Sequence, residues 1–347
     1  MARDDSSDRT PRRILVWLED AEVAIEEGRL EEAARALANV RRKRPDLPEL
    51  AFVEGDLALA EGDVDRAIER YGEAAARDPE WPEARIAMGW AELERDDVEA
   101  ASEIADDAVE RWGDDPVVAA EALMLAASAR LADEDLEGAA ARLSEVEALE
   151  PSDPELLFDL AEGWHALGRP DREEKAYRAV LALDPGDPDA LYGLGGCLHE
   201  RGAGVEATEA WLRVRELDLA EPRPEHPLTE SELEEVAERA LRELPEHVRE
   251  RLANVPILVE DLPSEELVRE GVDPRLLGLF TGTPLPHKTH LEGSPTSPDA
   301  AILYLRNLES AFADREELIE QVRVTILHET AHFFGLEDED LEELGLG

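Results

Sequence analysis

Prolines recur at a fixed interval in the first two thirds of this 347-residue chain. Pro45 and Pro79 stand 34 residues apart, as do Pro151 and Pro185, and Gly113 occupies the corresponding place between the two pairs. Small residues keep the same step. Gly28, Gly62 and Gly168 mark one turn, Ala33, Ala67, Ala101 and Ala139 a position five residues later, and Ala21, Gly55, Gly89, Ala127, Ala161 and Gly195 a third. Large side chains return at Leu37, Tyr71, Leu143, Tyr177 and Trp211. A unit of this length holds two short helices. It is too small to bury its own apolar face, so neighbouring units must stack. Small residues then sit where helices approach closely, and proline ends the second helix before the next pair. Six such units are expected from Ile14 to about Leu219. The third and fourth are the least regular, with extra residues near Asp114–Ala119. In the fifth, Glu173 stands where the others have a small contact residue.

Composition bounds the partners. Lys and Arg number 36 against 86 Asp and Glu, a formal charge of −50, and only Lys43, Lys175 and Lys288 are lysines. Nucleic acid and anionic membrane both require positive charge, so neither is an expected partner. Cys197 is the single cysteine, which excludes an intramolecular disulfide. Met1 to Arg13 has no apolar core of the signal-peptide kind, and no later run is long and apolar enough for a bilayer. The expected location is the cytoplasm.

Stretches such as Glu61-Gly62-Asp63-Val64-Asp65-Arg66-Ala67-Ile68 and Ala182-Leu183-Asp184-Pro185 make the repeated region resemble the tetratricopeptide repeat. The resemblance implies an all-α superhelical solenoid that holds a protein partner on its concave face. Acid dominates here and no Lys/Asn clamp for an acidic tail recurs, so a basic or apolar guest is expected. The domain limits read from the sequence are a polar lead-in at 1–13, repeats over 14–220, a proline-spaced linker over 221–227 and a second domain over 228–347.

In that second domain Thr229 to Glu232 forms a capping-box pattern that opens a helix to about Leu244, and Pro245 opens another to about Ala253. Val255–Glu260 and Ala301–Leu305 are apolar, β-prone runs, and Gly278–Leu285 is a strand or turn edge. A Pro/Gly/Ser/His-rich loop covers His287–Asp299. Asp314 with Glu317 is expected to cap a long helix.

That helix carries Leu327-His328-Glu329-Thr330-Ala331-His332-Phe333-Phe334-Gly335-Leu336-Glu337-Asp338, the pattern H-E-x-x-H-x-x-G-x-x-D. Residues four apart lie one turn above each other, so His328 and His332 can aim imidazole nitrogens at one point, a zinc-ligand arrangement. Glu329 lies beside the first ligand, placed to reach a water rather than the ion. A catalytic zinc takes three protein ligands. Gly335 permits a left-handed helix end, and Asp338 beyond it is the expected third ligand, with Glu337, Glu339 and Asp340 as alternatives. Ile326, Leu327, Phe333 and Phe334 supply the apolar flanks.

The V-P-I-L-V-E-D strand, the G-L-F-T-G-T-P-L segment, the I-L-Y-L-R strand and H-E-T-A-H-F-F-G-L-E-D-E-D-L together make residues from about 228 onward resemble the small zincin-like metallopeptidases of bacteria. The resemblance implies an α+β domain with a small sheet, a Zn2+ site at His328, His332 and Asp338, and Glu329 as general base in peptide hydrolysis. A substrate peptide could lie along the strand holding Ile302, Leu303 and Tyr304 if that strand is an edge. Tyr304, His287 and His290 are the candidates for holding an oxyanion. The alternative function is an adaptor whose repeats matter and whose zinc domain is structural or vestigial.

Overall fold

The computed structural model describes residues 9–223, 228–243, 246, 255–281, 300–312 and 315–333. Its first twelve helices form six consecutive pairs: α1 (Arg9–Glu26) with α2 (Leu30–Arg41), α3 (Pro48–Ala60) with α4 (Val64–Arg77), α5 (Pro82–Glu94) with α6 (Val98–Trp112), α7 (Pro116–Ala132) with α8 (Leu136–Ala148), α9 (Pro154–Ala166) with α10 (Pro170–Leu183), and α11 (Pro188–Glu200) with α12 (Gly204–Ala220). Pro45, Pro79, Pro151 and Pro185 lie between pairs, as expected. Three residues after each of them a second proline, Pro48, Pro82, Pro154 or Pro188, takes the first position of the next helix. Its missing N–H is one the helix could not use there, and its fixed φ is already helical. Side-chain caps complete the starts: Asp63, Asp97, Asp135 and Asp153 each accept from the backbone N–H three residues on.

Turns within the pairs need one residue in the left-handed region. Gly28, Gly62, Gly168 and Gly202 hold it at φ of 70°, 76°, 61° and 75°. In the two irregular pairs Asp96 and Glu134 do so, at 67° and 58°, without glycine's freedom. Glycine serves a different purpose inside the helices. A Cβ on Gly55 would stand 2.5 Å from the Tyr71 ring, and one on Gly195 would collide with Trp211. Tyr71 and Trp211, each on the second helix of its pair, therefore fill the space that a glycine of the first leaves open. Glu173 is buried in the fifth pair, where its carboxylate meets His165 Nδ1 at 3.1 Å. The pair keeps an acid at the small-residue position by giving it this partner.

Packing divides the chain into Met1–Pro185 and Gly186–Gly347. In the first unit Ile14 and Leu18 of α1, Leu37 and Val40 of α2 and Leu50 and Val53 of α3 share one core. Ile86, Ile104 and Leu125 share another with their neighbours. The second unit contains α11 and α12 together with α13 (Glu230–Glu243), β1 (Ile257–Glu260), α14 (Glu265–Arg269), β2 (Gly278–Thr281), β3 (Ala300–Tyr304), α15 (Leu305–Ala311) and α16 (Arg315–Phe333). The expected capping box opens α13: Thr229 N donates to Glu232 at 2.9 Å, and Glu232 N donates to the Thr229 hydroxyl at 3.2 Å.

The sheet order is β1-β3-β2, with β1 parallel and β2 antiparallel to β3. This corrects the expectation of a substrate edge at Ile302, Leu303 and Tyr304. Leu258 and Leu279 both pair with Ile302, and Val259 and Gly278 both pair with Leu303. With a partner on each side and all five residues buried, β3 has no edge to offer a peptide. Ala301 and Leu303 from β3, Leu233, Val236, Ala237 and Ala240 from α13, and Leu318, Val322 and Ile326 from α16 make the core of this unit. The short helices α14 and α15 were not anticipated. Pro245–Ala253, apart from Glu246, and the His287–Asp299 loop lie outside the described residues.

Candidate metal centre

The helix that bears the H-E-x-x-H motif is held by its apolar stripe. Leu318, Val322, Thr325 and Ile326 recur at helical spacing and are buried, and Leu327 is buried beside them. Glu316 and Glu317 in the first turn suit the positive end of the helix dipole. Asp314, the expected cap, lies outside the described residues. The stripe docks α16 against α13 and the sheet, and that sets the level at which the motif emerges.

His328 is half-buried, next after the buried Ile326 and Leu327. The helical backbone continues without a break through Glu329 and His332 to Phe333, so the two histidines occupy positions i and i+4 of one helix. That register is the one two imidazoles need to share an ion. Two neutral imidazoles with a carboxylate form a donor set suited to Zn2+. Asp338 lies outside the described residues, as do Glu337, Glu339, Asp340, Gly335, Phe334, His287 and His290. Among the described residues no group of three His, Cys, Asp or Glu is gathered to hold a metal. Tyr304 is fully buried at the end of β3, the position of a core aromatic. His165 lies beside Glu173, and His199 stacks on Trp211 at 5.0 Å between ring centres.

A set of polar anchors with no signature in the sequence holds the loops around the sheet. Asn307 donates to the carbonyls of Pro274 at 2.9 Å and Leu276 at 2.7 Å, which pins the approach to β2. Glu309 accepts two bonds from Arg223, at 2.7 and 3.0 Å, and one from Leu228 N at 2.9 Å. A single sequence carries no signal for such ties beyond the presence of Arg and Glu. Arg223 and Glu309 stand 86 positions apart.

A family model described as zincin-like metallopeptidase matches residues 252–347. Models of the tetratricopeptide repeat match 58–124 and, separately, 18–84, 124–188 and 174–218. The chain joins tetratricopeptide repeats to a zincin-like metallopeptidase domain. Among solved structures it is similar to a thermophilic tetratricopeptide-repeat protein of Thermus thermophilus, at 21% identity over 50% of this chain and 93% of that one, with a TM-score of 0.42. It is also similar to the Cut9–Hcn1 hetero-tetramer of APC/C, at 16% identity, 62% and 42% coverage and a TM-score of 0.50. Likenesses at these identities concern the fold alone. A search of curated proteins returned no match. Repeats of this kind generally mediate contacts between proteins. Among the described residues no helix is long and apolar enough to cross a membrane.

Proposed function

We propose that this protein is a zinc-dependent peptide hydrolase of the cytoplasm whose repeats hold a protein substrate or a regulator. One observation carries the reading: His328, Glu329 and His332 lie in helical register on an unbroken helix, within the segment that matches zincin-like metallopeptidases. On this reading the repeat sequences run over 14–220, a proline-spaced segment over 221–227 and the peptidase sequence over 228–347, with the packing boundary ahead of the sixth repeat. His328, His332 and Asp338 would hold the ion. When bound, zinc supplies a Lewis acid that polarises the scissile carbonyl and makes water easier to deprotonate. Glu329 takes the proton from the attacking water and returns it to the departing amine nitrogen. The carbon–nitrogen bond then breaks to a carboxylate and an amine with the carboxylate of Glu329 restored.

The guest of the repeats is basic or apolar. Carboxylates crowd the first helices of several pairs. Burial, together with Glu83, Asp153 and Asp115, raises the Glu121 carboxyl above its ordinary range. Burial and Glu155, Glu162 and Asp153 do the same for Asp159. Asp159 itself lines a cavity of about 480 Å3 with Trp90, Met124, Leu131, Leu143 and Glu162. A cationic side chain there would relieve the repulsion and find an aromatic wall.

The test measures zinc content and cleavage of a broad peptide library. Wild type is expected to bind one zinc and lose cleavage on chelation. Glu329→Gln should keep the zinc and lose about 10²–10⁴-fold in rate, whereas Asp338→Ala should weaken zinc binding. Zinc bound without turnover by the wild type favours the adaptor instead. Full zinc affinity and turnover in Asp338→Ala would move the third ligand to a neighbouring acid.

A further inference from the structure

We infer that the sixth helical pair, α11 with α12, is a built-in layer of the C-terminal fold rather than a free repeat, and that Arg275 is the residue that locks it there. Arg275 leaves the loop between α14 and β2 and grips both helices of the pair. Its Nε and Nη2 meet the two carboxylate oxygens of Asp218, near the end of α12, at 3.0 and 3.1 Å. Its Nη1 donates to Asp189, at the start of α11, at 2.6 Å. The guanidinium lies 4.9 Å from the centre of the Tyr192 ring, and the Tyr192 hydroxyl donates back to Asp273 at 2.6 Å. A planar fork is needed for this arrangement. One edge takes a carboxylate side-on, the remaining nitrogen reaches a second, and the flat face covers a ring, which an ammonium cannot do together.

Three further ties close the same seam. Arg306 Nη1 donates to the carbonyls of Leu219 at 3.1 Å and Glu221 at 3.0 Å, and so satisfies groups that the end of α12 leaves without helical partners. Arg215 on α12 donates to the Pro263 carbonyl at 2.6 Å. Asn307, from α15 at the end of β3, holds the Arg275 loop from the other side. Asp189, Asp218 and Glu221 border a cavity of about 380 Å3 with Arg275, Asn307 and Ser310. Without the guanidinium Asp189 and Asp218 would lose the charge that both contact. The packing boundary agrees: it falls between Pro185 and Gly186, ahead of α11, and not in the proline-spaced segment after α12.

The consequence concerns partners. The face of α11–α12 that carries Asp189, Tyr192 and Asp218 is taken by the chain's own loop and is not offered to a guest protein. A change in that face is felt by β2 and β3. None of this depends on the peptidase being active, and the test reads no activity.

Hydrogen exchange on full-length protein decides it. In Arg275→Met, exchange is expected to rise at least about tenfold in 188–220 and in 300–312 together, with 48–77 unchanged. Arg275→Lys should recover only part of the protection. Tyr192→Phe, a milder change that keeps Arg275, should give a smaller rise in the same two segments. In wild type under denaturant, 188–220 and 300–312 should lose protection at one midpoint. The inference is overturned if 188–220 stays protected in Arg275→Met, or if its midpoint departs from that of 300–312 in the wild type.

Discussion

Each of the two units of this protein is tied within itself, and the two do so over different lengths of chain. In the first, the ties between described residues join a helix to its own pair or to the next. Tyr71 donates to Asp56 at a separation of 15 residues, Arg95 to Asp65 at 30 and Arg111 to the Pro79 carbonyl at 32. In the second, Arg275 reaches Asp189 across 86 residues, Arg223 reaches Glu309 across 86 and Arg315 reaches Glu232 across 83. Short ties repeat with the period of the sequence, so each pair can be completed by its own residues and its neighbour's. Long ties belong to a fold that exists only when distant segments have met. The difference predicts that single substitutions stay local in the repeats and spread in the C-terminal unit.

The largest break in that comparison should come from Glu309→Ala. It leaves the Arg223 guanidinium and Leu228 N–H without their buried acceptor and should cost about 3 kcal/mol. Hydrogen exchange in denaturant should show the loss over 230–243 and 300–312 but not over 48–77. An equal loss in both would show the units to be one cooperative body.

Asp56→Asn sharpens the comparison within the repeats. Burial pushes the Asp56 carboxyl up to about 6, against the Tyr71 hydroxyl bond that lowers it. The folded state therefore holds this proton more tightly than the unfolded chain, whose value is 3.8. Stability from this group is fully present below the unfolded value and is lost as pH rises through about 6. The asparagine variant should gain up to ~2 kcal/mol at pH 7.5, after allowance for partial solvent screening, and that advantage should vanish near pH 4. Thermal melts across that range check the sign, and an advantage independent of pH would refute the cause.

The smallest effect belongs to the irregular turns. Asp96→Gly and Glu134→Gly should each raise stability by about 1 kcal/mol, because glycine accepts the left-handed φ without strain. A lower melting temperature would mean that these acids make contacts worth more than the strain they cost.

Much of the repeat unit was legible because its constraints are local. A small residue opposite a large one marks where a helix approaches its mate, as Gly55 opposite Tyr71 and Gly195 opposite Trp211. Further signals there are local as well. Pro48, Pro82, Pro154 and Pro188 start helices, and Gly202 makes the sixth turn. Asp96 and Glu134 gave no such cue, since acids in the left-handed region resemble any other acids in the sequence. The central place of β3 has a readable sign in the sequence. Its run Ala300–Tyr304 is apolar throughout, without the alternation of a half-exposed strand.

The candidate metal site divides in the same way. Spacing along one helix is a local property, so the register of His328, Glu329 and His332 was written in the motif and needs only that the helix continue, which it does. The place of that helix against α13 and β3, and the joining of α11 and α12 to the C-terminal fold through Arg275, were decided by tertiary structure alone. A guanidinium finds its carboxylates by proximity in space, and in a chain with 86 acids the sequence offers it far too many partners to choose from.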